Sequence, residues 1–198
     1  MNNKIIHGDA FIELPNMDDK SVDLIITDPP YNFNAIQKTE LHYHFKRISR
    51  NWIIIFSPPE NQWILPADQY LFWNKPISTK NTSRRYSRFV EMIFVYGDGV
   101  WNTNRHWSQY TNIFADLVDK YRVHPHRKPP SLLKRLILNH SKPGDIILDP
   151  FFGSGTTLSE AAKNDRNYIG IELEWESFRP FRDKLTVASE AVVFCYNI

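Results

Sequence analysis

The chain of 198 residues carries 24 lysines and arginines against 22 acids, a formal charge of +2, with 42% hydrophobic and 14% aromatic residues. That length suits one ordinary domain, and the apolar content excludes a disordered chain. No apolar run approaches a membrane span, and the single cysteine, Cys195, excludes an internal disulfide framework and a cysteine-built zinc site. The opening Met1-Asn2-Asn3-Lys4 begins no signal-peptide pattern, so a soluble cytoplasmic protein is expected.

In chain order the sequence predicts a strand at residues 4–7, a strand at 22–27, a helix at 35–49 and strands at 52–56, 70–73 and 90–96. A helix at 131–139, a strand at 145–148, a helix at 156–164 and a strand at 168–171 follow. The apolar runs within 22–27 and 145–148, Leu24-Ile25-Ile26 and Ile146-Ile147-Leu148, suit strands covered on both faces of a parallel sheet. Strands alternating with helices predict an α/β fold, with residues 1–198 as one domain and helices on both faces of a mostly parallel sheet. Residues 77–88 and 97–123 are the least regular and are expected as surface loops. Residues 191–198 read equally as an edge strand or as a tail.

The near-neutral total hides an uneven distribution. No acid lies between Asp68 and Glu91, where Lys75, Lys80, Arg84, Arg85 and Arg88 fall. A second acid-free stretch, from Arg122 to Lys142, carries Arg127, Lys128, Lys134, Arg135 and three histidines. A solvated basic face accounts for most such clusters, but two in one small chain also suit a polyanionic partner. His124 and His126 flank Pro125 without cysteine pairs or a helical His-x-x-x-His pattern, so no metal site is expected.

Two motifs carry chemistry. Asp28-Pro29-Pro30-Tyr31 directly follows the strand at 22–27, and in an open α/β sheet ligands sit beyond the carboxyl ends of strands. The prolines fix φ and remove two donors, leaving their carbonyls as acceptors. Such a turn offers a carboxylate and a carbonyl to one small donor, with an aromatic ring beside it. An exocyclic amine on a flat ring fits; a plain Pro-Pro turn ending a strand is the structural alternative.

The second motif, Asp149-Pro150-Phe151-Phe152-Gly153-Ser154-Gly155-Thr156-Thr157, again ends a strand and opens a helix. Glycines one residue apart let a ligand approach the backbone closely. No Gly-Lys-Ser/Thr follows, so it is not a Walker loop, and the third glycine of the dinucleotide fingerprint is missing. Glu172 follows Gly153 by 19 positions, at the end of the next strand, where an acid commonly holds ribose hydroxyls.

With these motifs the chain resembles S-adenosylmethionine-dependent amino-group methyltransferases. More closely it resembles the DNA adenine-N6 methyltransferases of permuted (β-type) order, in which the catalytic tetrapeptide precedes the cofactor loop. The resemblance rests on His7-Gly8-Asp9-Ala10-Phe11, on residues 21–31 ending in Asp28-Pro29-Pro30-Tyr31, and on His124-Pro125-His126-Arg127-Lys128-Pro129. It continues through residues 143–157 and Arg166-Asn167-Tyr168-Ile169-Gly170-Ile171-Glu172, covering 4–34 and 120–178 well. It implies a circularly permuted, seven-stranded Rossmann-like methyltransferase sheet.

What the resemblance assigns follows residue by residue. Asp28, Pro29, Pro30 and Tyr31 are the catalytic turn, and Asp28 also borders the cofactor. S-adenosylmethionine lies beside Phe151, Gly153, Ser154, Gly155 and Thr156, with Glu172 on the ribose and Asp9 near the adenosine end. Lys128 approaches the methionine end, or equally contacts a phosphate. Asp149 touches the cofactor or anchors the loop by hydrogen bonds. Asp28 and the Pro29 carbonyl would localise the amino lone pair, and Tyr31 would stack on a base rotated out of the duplex. Phe33 is a further stacking candidate, with core packing as its first reading.

Relatives of this type usually insert a sizeable DNA-reading segment, for which residues 32–121 leave little room. Residues 77–123 then form the minimal recognition region, through Lys80, Arg84, Arg85 and Arg88 and through Arg105 and Trp107, which interleave cation and aromatic. Packing of residues 101–110 onto the domain is the alternative. The expected partner is DNA, without a membrane, and a homodimer or second subunit is a further source of base reading. Cytosine-N4 methylation, RNA adenine methylation and a catalytically silent nucleic-acid-binding subunit are the competing functions. A bacterial modification system or a phage is the expected setting.

Overall fold

A computed structural model describes residues 3–75, 90–116, 128–174, 176 and 192–196. The elements in order are β1 (Asn3–His7), α1 (Ala10–Glu13), β2 (Val22–Thr27), α2 (Ala35–Ile48), β3 (Ser49–Ser57), β4 (Gln69–Asn74) and β5 (Val90–Gly97). They continue as β6 (Ile113–Phe114), α3 (Pro130–His140), β7 (Ile146–Asp149), α4 (Thr156–Ala162), β8 (Asn167–Glu172) and β9 (Val192–Tyr196). The strands form one sheet in the order β6-β4-β5-β3-β2-β7-β8-β1-β9. Strand β5 runs antiparallel to β3 and β4, and the other pairs are parallel.

All seven predicted strands are present. Two more lengthen the sheet at its edges: β6, too short to leave a periodic signal, and β9, which settles residues 192–196 as an edge strand on β1. Among the described residues no helix is long and apolar enough to cross a membrane.

Alternation along the strands divides the core into two layers. Leu24 and Ile26 of β2, and Trp52, Ile54 and Phe56 of β3, pack beneath Leu132, Leu133, Leu136 and Ile137 of α3 and Leu158 of α4. Their neighbours Ile25, Ile53 and Ile55 face the other way, against Leu41, Phe45 and Ile48 of α2 and Leu14. The central strands are therefore apolar on both faces because helices cover both. Helix α2 starts with a capping box: the Asn34 side chain accepts from the Gln37 N–H, and the Gln37 side chain accepts from the Asn34 N–H.

Gly170 in β8 is a packing requirement. A Cβ there would stand 2.5 Å from Leu158 Cδ1 and 2.6 Å from Phe152 Cδ1, so the bare backbone lets the loop after β7 and helix α4 close onto the sheet. Gly170→Ala is expected to destabilise the fold by about 1–3 kcal/mol, as overpacked cores do, read as a lower urea midpoint at unchanged slope. A midpoint equal to that of the parent chain would mean that both neighbours yield freely.

Candidate active site

Strands β2 and β7 are parallel neighbours, Leu24 opposite Ile147 and Ile25 opposite Leu148. Their carboxyl ends, and those of β8 and β1, open on the same end of the sheet. A cleft of about 660 Å³ lies over those ends. It is lined by Gly8, Asp9 and Phe11 after β1, by residues 28–33 after β2, by Phe151 and Gly153 after β7, and by Glu172 and Glu174 after β8. A second chamber of about 150 Å³ shares Asp28, Phe151 and Gly153 with it and adds Lys128, Asp149, Ser154, Thr156 and Thr157. The Asp28–Tyr31 turn and the glycine loop thus face one crevice.

Each predicted residue has a definite local role. In the turn after β2, the Pro30 carbonyl accepts from Phe33 N–H at 3.4 Å, while the Pro29 carbonyl has no such partner among the described residues. Asn61 donates to the Tyr31 carbonyl, and Lys38, which donates to the Asn61 and Gln62 carbonyls, fixes Asn61. Gly153 and Gly155 have φ of +49° and +74°, the left-handed region where glycine costs least. Gly155 lines neither chamber and instead closes the loop, its N–H donating to Phe152 O at 2.8 Å. Asp9 caps α1 by accepting from Phe11 N–H.

Glu172 accepts from Gly153 N–H at 2.7 Å and from Glu174 N–H at 2.8 Å, so it holds the glycine loop to the end of β8. Burial raises its pKa despite those bonds. Phe11, Phe33 and Phe151 stand edge to face, with centroids 5.4 and 5.7 Å apart, and make one apolar wall of the cleft. Asp9, Asp28, Glu172 and Glu174 line the larger chamber with no lysine or arginine among the described lining residues, surroundings that favour a cation.

Charge is concentrated beneath Asp28. The Lys128 ammonium, 8% exposed, lies 2.5 Å from Asp28 Oδ2 and 2.5 Å from Glu91 Oε1, and it donates to the Tyr31 hydroxyl at 3.2 Å. Burial opposes its charge, but the carboxylates of Asp28 and Glu91 outweigh that and hold its pKa above the ordinary lysine value. Burial raises the Asp28 pKa, with Lys128 pulling against it; the Glu91 pKa is lowered because Lys128 and Lys75 overcome its burial. Asp28 Oδ1 is buried and has no hydrogen-bond partner among the described residues. Tyr31 keeps 37% of its surface exposed while its hydroxyl reaches Lys128 and Glu91.

Arg105 stands elsewhere. Strand β5 runs away from the cleft, and the loop after it lies along α3: Arg105 donates to Asn139 Oδ1 at 2.6 Å and to Gln109 Oε1 at 3.0 Å, and Asn139 donates to the Gln109 carbonyl. With a helical rise of about 1.5 Å per residue, Asn139 is roughly 15 Å along α3 from the Lys128 end. Arg105 fastens the loop, and Trp101 packs on Trp52 and His140, while Trp107 stays 72% exposed. Lys80, Arg84, Arg85 and Arg88 lie outside the described residues. Among the described residues no group of three His, Cys, Asp or Glu could hold a metal ion.

Sequence reasoning missed Glu91, Lys75 and the Tyr31 hydroxyl contact. A signal existed for Glu91: it falls in register with Ile93 and Val95 on the inward face of an apolar strand, and a charge there requires partners. The partners themselves come from residues 75 and 128, which no spacing rule connects.

Comparison with known proteins follows the same lines. The family model described as DNA methylase, for N6 and N4 methyltransferases, matches residues 51–182. The DNA adenine methyltransferase YhdJ of Escherichia coli (strain K12) is 29% identical over 93% of this chain and 83% of its own length. That alignment runs over 246 residues, more than this chain contains, so the relative carries segments without a counterpart here. The type II methyltransferase M2.DpnII of Streptococcus pneumoniae is 27% identical over 94% of this chain and 90% of its own. The crystal structure of the M1.HpyAVI-SAM complex superposes with a TM-score of 0.69 and 29% identity, covering 91% of this chain and 98% of that one. With a match across most of its length, the chain belongs to the DNA methylase family of N6 and N4 methyltransferases.

Proposed function

We propose that this chain is a DNA methyltransferase that carries the methyl group of S-adenosylmethionine to the exocyclic N6 of an adenine rotated out of the helix. One observation supports this reading above the others: Asp28 Oδ1, a buried acceptor without a partner among the described residues, at the junction of the two chambers. A buried oxygen left unpaired is costly, and a ligand N–H is the group that would satisfy it.

The residues present fit the cofactor. The aromatic wall of Phe11, Phe33 and Phe151 suits a purine, Glu172 suits ribose hydroxyls, and the acidic lining of the larger chamber suits a sulfonium. The smaller chamber, with Ser154, Thr156 and Thr157, suits the charged amino-acid end, while the Lys128 ammonium on its wall is held by Asp28 and Glu91. When bound, S-adenosylmethionine supplies a methyl group already activated by its positive sulfur.

The protein's own contribution is to the nucleophile. An adenine amino nitrogen is weakly nucleophilic because its lone pair is shared with the ring. Asp28 Oδ1 and the Pro29 carbonyl accept its two N–H groups and favour a localised lone pair. The surplus proton then passes to Asp28, whose pKa burial has raised, and on to water. The ring of Tyr31 stacks on the extruded base, held from behind by its hydroxyl bonds to Lys128 and Glu91.

Asp149 anchors the glycine loop: its Oδ1 accepts from Phe151 N–H at 3.2 Å.

The decisive measurement is transfer of labelled methyl groups to unmodified duplex DNA, single-stranded DNA and RNA, with the modified base identified. Label in N6-methyladenine of DNA is expected; label in cytosine, in RNA alone or nowhere overturns the reading. Asp28→Ala is expected to lose on the order of 10²–10³ in turnover while binding the cofactor nearly as well, the effect of removing one preorganised polar contact. Full turnover in that variant would remove the role assigned to Asp28. Tyr31→Phe keeps the ring but loses its tether, so it should fall between the parent chain and Tyr31→Ala.

Asp149 yields a pH test. Burial raises its pKa from 3.8 to about 7, although the Thr157 hydroxyl and Phe151 N–H favour the charged form. Between those values the folded chain keeps a proton that the unfolded chain has released, so this contribution to stability is greatest below pH 3.8 and is lost as pH rises through about 7. Asp149→Asn should flatten that decline in Tm, and an unchanged slope would place the titration elsewhere.

A further inference from the structure

Behind the catalytic turn four charged side chains close on one another. Glu91 is 1% exposed near the start of β5, and its two oxygens meet two different lysines: Oε1 meets Lys128 at 2.5 Å and Oε2 meets Lys75. Because β5 runs against β3 and β4, its first residues lie at the cleft end of the sheet, beside the end of β4 from which Lys75 projects. The Phe56 ring covers the Lys128 ammonium at 4.9 Å and the Trp73 ring at 5.9 Å; Trp73 also stands 5.1 Å from Lys75. Two acids and two lysines leave the cluster with no net charge.

An ammonium has three N–H donors. Lys128 has three acceptors in reach: Asp28 Oδ2, Glu91 Oε1 and the Tyr31 hydroxyl. Its donors are therefore all committed, and Asp28 Oδ1 stays without a partner among the described residues. Remove the acceptor on Glu91 and one N–H is released next to the oxygen that the reaction needs free.

We propose that Glu91 is a positioning residue for methyl transfer: by holding one N–H of Lys128, it keeps that ammonium off Asp28 Oδ1 and keeps Tyr31 tethered. Lys75 balances the charge of Glu91. This inference rests on the methyl-transfer reading given above.

The test separates the acceptor from the charge. Lys75→Met with Glu91→Gln, and Lys75→Met with Glu91→Leu, carry the same net charge, but only the glutamine keeps an acceptor at the Oε1 position. The leucine double variant is expected to fall below the glutamine one in kcat by on the order of 10²-fold, the effect of a small misplacement at a reacting centre, with KM for cofactor and DNA alike in the two. Equal kcat in the two overturns the inference, as does a loss confined to KM. If either double variant fails to melt cooperatively, Glu91→Asp takes its place: it keeps the charge, shortens the reach and should lose kcat with Tm held, and turnover equal to the parent overturns the proposal. The parent chain is assayed alongside. Its inactivity on DNA overturns both readings, whereas an active parent with equally active variants overturns this one alone.

Discussion

Leu24 lies opposite Ile147 and Ile25 opposite Leu148, and this short parallel pairing decides where everything in the site can be. More than 100 residues separate the two strands in sequence. Their side chains alternate between two helical layers, so a slip of one residue would exchange the layers and is strongly disfavoured. With the register fixed, the turn after β2 and the loop after β7 must emerge side by side. Asp28, Phe151 and Gly153 are shared by both chambers for that reason.

What sequence reasoning could see follows from what is local. Val22–Thr27 and Ile146–Asp149 are legible as buried strands because each is a run of apolar residues ended by a turn signal, and the two motifs sit at their ends. Gly153 and Gly155 are legible because few other residues accept their backbone angles. The charged cluster was not legible: Lys75 and Lys128 read as parts of two basic stretches, and nothing in their spacing shows that Glu91 takes both. Arg105 was misleading for the complementary reason. Its neighbourhood of cations and aromatics has the composition of a nucleic-acid contact, yet tertiary packing directs the guanidinium to Asn139.

The direction of β5 explains both outcomes. Reversed against its neighbours, it begins beside the cleft and ends at the far end of the sheet. Its first residues therefore contribute Glu91 to the site, while the loop that follows is carried away and has to climb along α3 before β6 rejoins β4. The relative YhdJ carries segments that this chain lacks.

The position of β1 has a consequence for how the chain comes together. Its partners in the sheet are β8 and β9, both more than 160 residues downstream. This strand therefore joins the sheet only through partners far away along the chain. Ile5 and Ile6 are buried in the finished sheet, and assembly of that edge is a long-range event of the slow kind.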